Sequence, residues 1–134
     1  MTLTRKAIAT HILIATLILF ASFTGVAAQK GKSVVRRVNF PRGRTTTVLR
    51  GTVKRGLSHD YLLRARAGQT MTLHLATTAA GMSLTILKPD GETWIYDVKD
   101  WSGELPSTGT YRINVLPDTT TEEPTRYALE IRIR

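Results

Sequence analysis

The sequence predicts an all-β protein: a two-sheet antiparallel β-sandwich, jelly-roll-like, of about eight strands. Three observations predict it. Apolar residues recur with period 2 in short runs between Val34 and Arg134, the spacing that places alternate side chains on one face of a strand. Turn-forming residues punctuate those runs, among them Pro41-Arg42-Gly43, Ala67-Gly68, Pro89-Asp90-Gly91 and Pro106-Ser107. No segment after residue 28 keeps a 3.6-residue period long enough to make a helix.

Taken in order, Val34 to Phe40 is the first strand, with Val34, Val38 and Phe40 on one face. Arg36 interrupts that face, which marks an edge strand with a bend, and charge on an edge discourages pairing with other molecules. Thr45 to Val53 is rich in Thr and Val, with Leu49 and Val53 inward and Gly51 permitting a bulge or a close backbone approach. Lys54 to Ser58 is a polar loop. Tyr61, Leu63 and Ala65 then alternate with Arg64 and Arg66, Ala67-Gly68-Gln69 reverses the chain, and Met71, Leu73 and Leu75 return, so these two runs predict a hairpin.

Ser83 to Leu87 places Leu84 and Ile86 inward, Lys88-Pro89-Asp90-Gly91 is a tight turn, and Thr93 to Tyr96 is a strand that Asp97 to Asp100 breaks. Trp101 to Leu105 and Thr110 to Leu116 predict a second hairpin, with Tyr111, Ile113 and Val115 as core residues. Pro117 to Thr125 is a polar loop. The last run alternates without a break, Tyr127, Leu129, Ile131 and Ile133 facing one way, so it docks in a sheet.

The first 28 residues read as a signal peptide. Arg5 and Lys6 give a positive start, Ile12 to Phe20 an apolar centre, and Val26-Ala27-Ala28 the small residues that a signal peptidase reads before Gln29. The competing reading is an uncleaved anchor over Ala7 to Phe23. Cleavage leaves residues 29–134 as one domain with no stable membrane span, in the periplasm or secreted. The absence of cysteine excludes disulfides and a lipidated N-terminus, so core packing alone holds the fold.

Charge is uneven. Residues 29–66 hold eleven Lys or Arg against the single Asp60, whereas residues 67–134 hold six basic residues against nine acidic ones. This balance suits an anionic partner such as an envelope polymer, and equally suits plain solubility. A basic half without interleaved aromatics argues against nucleic acid.

The motifs of enzymes are missing. His59 and His74 have no metal-ligand spacing and no cysteine partner, and no GxSxG, HExxH, Walker A or GxGxxG pattern occurs. His74 lies mid-strand on the outer face, while His59 adjoins Asp60 before a strand as a loop residue or part of a binding surface. Asp90, Glu92, Asp97, Asp100 and Glu104 cluster in sequence, but a turn and strand ends account for them and no EF-hand spacing is present. No metal, no cofactor and no catalytic residue is therefore expected. Trp94 and Trp101 either stack on sugar rings or seal the core.

Four segments in order carry a family resemblance: Asp60-Tyr61-Leu62-Leu63, Ala67-Gly68-Gln69-Thr70-Met71, Leu105-Pro106-Ser107-Thr108-Gly109-Thr110-Tyr111 and Tyr127-Ala128-Leu129-Glu130-Ile131. The set resembles the bacterial pre-peptidase C-terminal-like β-sandwich domains, and more closely the small exported proteins related to periplasmic inhibitors of g-type lysozyme. The resemblance implies a non-enzymatic β-sandwich whose partner is a protein, a lysozyme among the candidates. A protruding basic side chain would pair with carboxylate in the enzyme's cleft. In the inhibitors the loop before the last strand is basic, whereas here it carries Asp118, Glu122 and Glu123 and no Arg before Arg126, so the basic contacts fall to Lys54 and Arg55. The expected partner-binding set is Lys54, Arg55, His59, Asp118, Glu122 and Glu123, with Arg64 and Arg66 as a separate basic surface. The alternatives are a module binding envelope polysaccharide or peptidoglycan, and an envelope assembly subunit.

Overall fold

Period-2 alternation gives every strand one apolar side, and two sheets bury those sides against each other. The computed structural model describes residues 32–134, so the expected signal peptide, residues 1–28, lies outside the described residues. Nine strands form: β1 (Lys32–Arg37), β2 (Thr46–Val53), β3 (Leu57–Ala65), β4 (Thr70–Thr77), β5 (Ser83–Leu87), β6 (Thr93–Val98), β7 (Asp100–Glu104), β8 (Gly109–Leu116) and β9 (Thr125–Ile133). They build a five-stranded sheet of order β1-β3-β8-β5-β6 and a four-stranded sheet of order β2-β9-β4-β7. The predicted β-sandwich is the fold, with nine strands instead of about eight.

The core follows the alternation. Tyr61, Leu63, Met71, Leu73, Leu84, Ile86, Tyr111, Ile113, Leu129 and Ile131 are all buried between the sheets. Trp94 and Trp101 meet edge to face with ring centroids 4.9 Å apart and pack against this core, which places both as seals at its margin. Gly51 sits opposite Tyr127 in the β2–β9 register, and a Cβ there would lie 2.6 Å from the Tyr127 hydroxyl. The close approach expected at this glycine is therefore to a tyrosine ring.

Two expected hairpins are corrected. The runs 61–66 and 70–76 belong to different sheets, β3 pairing with β1 and β8 while β4 pairs with β7 and β9. Likewise β7 lies in the four-stranded sheet and β8 in the five-stranded one. Each pair is an arch that crosses the core. Alternation shows which face of a strand is apolar, and that is the same whether the next strand lies beside it or across from it. The arches brace each other: the Gly68 amide donates to the Leu105 carbonyl at 2.9 Å, the Leu105 amide to the Gln69 carbonyl at 2.8 Å, and the Ala67 amide to Thr108 Oγ1 at 2.9 Å. Among the described residues, β5 and β6 are the one pair of consecutive strands that hydrogen-bond side by side, through the Lys88–Gly91 turn.

Three further departures are local. The first strand runs over Lys32–Arg37, is exposed at all six positions and pairs in parallel with β3; Val34 and Val35 gain little burial at this charged edge. Leu57 and Ser58, expected in a loop, begin β3. The passage from β6 to β7 takes one residue, Lys99, and Asp97 at φ 54° lies where the β5–β6 register slips, a bulge just before the chain crosses between sheets.

Polar groups join the strands as well. Tyr111 is fully buried, and its hydroxyl donates to the Ser107 carbonyl at 2.6 Å and accepts from the Ser107 amide at 3.1 Å. This pins the β7–β8 arch to the strand that follows, as a corner tyrosine does in other sandwiches. Asp60 is buried and accepts from Arg112 Nη1 at 3.2 Å and from Asn114 Nδ2, tying β3 to β8.

Tyr111→Ala is expected to cost about 3–5 kcal/mol, as for other buried aromatics. Tyr111→Phe, which loses only the corner hydrogen bonds, is expected to cost about 1 kcal/mol. Urea denaturation of both variants reads the difference, and equal losses would place the energy in the hydroxyl instead of the ring.

Candidate functional site

Strand direction decides which connections meet. β2, β4, β6 and β8 all run toward one end, so residues 54–56, 78–82, Lys99 and 117–124 gather there as a loop end. Lys54, Arg55, Asp118, Glu122 and Glu123, chosen from distant parts of the sequence, are brought together at this end. Arg55 Nη1 and Glu122 Oε1 are 2.5 Å apart, joining the 54–56 turn to the 117–124 loop with both side chains exposed. Lys54 and Glu123 are exposed beside them and make no ion pair among the described residues.

Asp118 is buried, not on the partner-facing surface where the sequence put it, and its work is internal. Its carboxylate accepts from Thr120 Oγ1 at 2.5 Å, the Thr120 amide at 2.8 Å and the Gly81 amide at 3.2 Å. The Thr120 hydroxyl and amide, with Gly81 and the nearby Lys99, hold its carboxyl below the usual carboxylate range. A Cβ on Gly81 would lie 2.5 Å from Asp118 Oδ1, so the glycine leaves room for this contact. Lys99 Nζ donates to the Ala79 carbonyl at 3.2 Å and fixes the same loop from the other side. The loop that carries Glu122 and Glu123 is thus tethered to the β4–β5 connection.

His59 is also displaced from its expected position. It lies within β3, 8% exposed, with Nδ1 2.6 Å from the Tyr127 hydroxyl, which is itself 2.5 Å from the Tyr61 hydroxyl. The chain runs one way when Tyr61 donates to Tyr127 and Tyr127 donates to the neutral imidazole. Burial, reinforced by the Arg36 guanidinium, pushes the His59 pKa down. Burial and the Tyr61 contact push the Tyr127 pKa up, which keeps it a proton donor. His59 therefore supports the loop end from beneath. His74 is on the surface as expected, paired with Asp100.

Arg64 and Arg66 lie at the opposite end, where β3 finishes, and share no surface with the loop end. Sequence reasoning missed a shallow groove beside the loop end, on the outer face of the four-stranded sheet. Its floor includes Ala76 and Ala128, directly opposite each other in the β4–β9 register, and Arg50 and Arg126 flank it. Two small residues at outward positions of alternating strands were its only signal.

Two outcomes follow from these contacts. Below the ordinary histidine value of 6.5 the unfolded chain binds a proton that native His59 resists, so stability is expected to fall as pH drops through 6.5. In His59→Asn, which keeps an acceptor and cannot titrate, the pH 7-to-5 difference from the parent protein should show that slope removed in chemical denaturation. Asp118→Ala is expected to speed amide hydrogen exchange at Gly81 and Thr120 while the β9 amides stay protected; unchanged exchange would remove the tether from Asp118.

No protein-family model matches the sequence, and no curated protein sequence matches it. Solved structures do match. The Aeromonas hydrophila protein PliG, a periplasmic lysozyme inhibitor of g-type lysozyme, superposes with a TM-score of 0.68 at 25% identity over 77% of this chain and 98% of its own. The Salmonella Typhimurium PliG gives 0.60 at 22% identity over 78% and 99%. The pre-peptidase C-terminal domain of a Bacillus anthracis collagenase gives 0.50 at 10% identity over 77% and 95%, a likeness of fold alone. The chain is similar in structure to PliG and to a pre-peptidase C-terminal domain, as its residues predict.

Proposed function

We propose that the protein is an exported, non-enzymatic inhibitor of a cell-wall hydrolase of the g-type lysozyme kind, acting through its loop end. The observation that carries this reading is the superposition on Aeromonas hydrophila PliG across nearly all of that inhibitor. The charge of the loop end supplies a physical route. Its acidic 117–124 loop would be repelled by a carboxylate-lined cleft, but Lys54 and Arg55 project from the adjacent turn. The exposed Arg55–Glu122 pair is worth about 0–1 kcal/mol, so a carboxylate in a desolvated cleft competes for the guanidinium at small cost. Asp118 ties the acidic loop to the β4–β5 connection through the Gly81 amide, and the basic turn stands exposed beside it. The periplasmic setting of the PliG proteins accords with the signal peptide expected over residues 1–28.

Titration of a g-type lysozyme with the protein tests this directly. Stoichiometric loss of lytic activity is expected, weakened about tenfold or more in Lys54→Glu/Arg55→Glu with the melting temperature unchanged, since both side chains are exposed. Full lytic activity at large molar excess would eliminate the reading.

A further inference from the structure

The end opposite the loops has its own electrostatic character. The β1–β2 connection brings Arg42 and Arg44 there, β1 finishes with Arg37, Arg64 is the last residue but one of β3, the β3–β4 arch adds Arg66, and Arg134 follows β9. All six are exposed, and among the described residues none makes an ion pair. Two of the nearby carboxylates, Asp90 and Glu92, are already engaged by Lys88 at 3.7 and 2.9 Å, which leaves Glu104. The loop end, by contrast, mixes signs, with Lys32, Lys54, Arg55, Lys99 and Arg126 among Asp97, Asp100, Asp118, Glu122 and Glu123.

We propose that this arginine end docks the protein on an anionic phospholipid surface. Guanidinium groups pair with phosphate oxygens through a planar fork, and several unpaired ones on one end find simultaneous partners on a sheet of phosphates. The six come from separate connections and strand ends, and the groove along Pro41 to Val48 includes only Arg44 of them. A polysaccharide strand calls instead for one cleft with stacking aromatics, and Phe40 and Trp94 near this end are packed against the core. Docked this way, the loop end faces away from the membrane. The docking does not depend on the inhibitory reading, and vesicle binding and lysozyme inhibition are measured in separate assays.

Sedimentation of the full chain with vesicles tests it. Binding is expected to vesicles containing phosphatidylglycerol and not to phosphatidylcholine alone, and to fall as salt shortens the reach of the charges. Each neutralised arginine should weaken binding about fivefold, so Arg37→Gln/Arg64→Gln/Arg66→Gln should lose about a hundredfold. The corresponding triple Arg→Lys variant should retain binding, which separates charge from folding, and Lys54→Gln/Arg55→Gln should bind as the parent does. Equal binding to phosphatidylcholine, indifference to the triple Gln substitution, or capture by a soluble anionic polysaccharide without binding to vesicles would each overturn the proposal.

Discussion

One layer of inward side chains, shared by both sheets, holds this chain together. Seven of the eight connections between consecutive strands pass from one sheet to the other, so strands adjacent in sequence meet through their side chains and not through backbone hydrogen bonds. Backbone pairing forms instead between strands distant in the chain, such as β3 with β8 and β2 with β9. Each sheet is thus threaded by a chain that leaves for the other after almost every strand. That constraint makes the Tyr111 and Tyr61 rings, Leu73 and Ile131 equally necessary to both sheets, and it replaces the disulfides that a cysteine-free chain lacks.

Polar contacts add direction to this apolar layer. The Tyr61–Tyr127–His59 chain joins β3 of one sheet to β9 of the other just below the loop end, and Gly51 leaves the space into which the Tyr127 hydroxyl fits. Each buried donor or acceptor would be costly if left unpaired, and among the described residues no buried side-chain nitrogen or oxygen lacks a partner. Apolar packing tolerates small shifts of one sheet over the other, whereas hydrogen bonds of 2.5 and 2.6 Å do not. The network therefore fixes how the sheets are set against each other, and with it the spacing of the loops they carry.

The inward faces of β2, β3, β4, β5, β8 and β9 were legible in the sequence because a period of two is a local property. The exposed β1 and the short β6 and β7 gave no such signal. Pairing was not legible. The runs around Tyr61 and Met71 alternate as a hairpin would, yet the same alternation serves an arch, and only contacts far along the chain, such as Thr70 with Arg134, decide between them. The candidate site divides in the same way. Lys54, Arg55, Glu122 and Glu123 were legible as exposed charged loop residues, but the meeting of Arg55 and Glu122, 67 positions apart, is a product of strand direction. His59 and Asp118 carry polar side chains that sequence assigns to the surface; their burial rests on Tyr127 and Thr120, which nothing local announces.

A core built on alternation and the charges of an exposed loop end are nearly independent constraints. Leucine, isoleucine and valine substitute for one another along a buried face provided volume and period are kept, so a sandwich persists at 25% identity or less. Loop charge is free to change sign without disturbing that face, because the loop residues Arg55, Glu122 and Glu123 lie in solvent. An acidic 117–124 loop on this scaffold is thus compatible with the fold of PliG while altering what the end can approach. The tethers reconcile the two: Asp118 accepts from Thr120 within the loop and from the Gly81 amide across it, neutral donors that hold the loop in shape beside the exposed Arg55–Glu122 pair. Lys54 is left exposed without an ion pair among the described residues, and Arg55 is held only by its exposed contact with Glu122, which adds little to the fold.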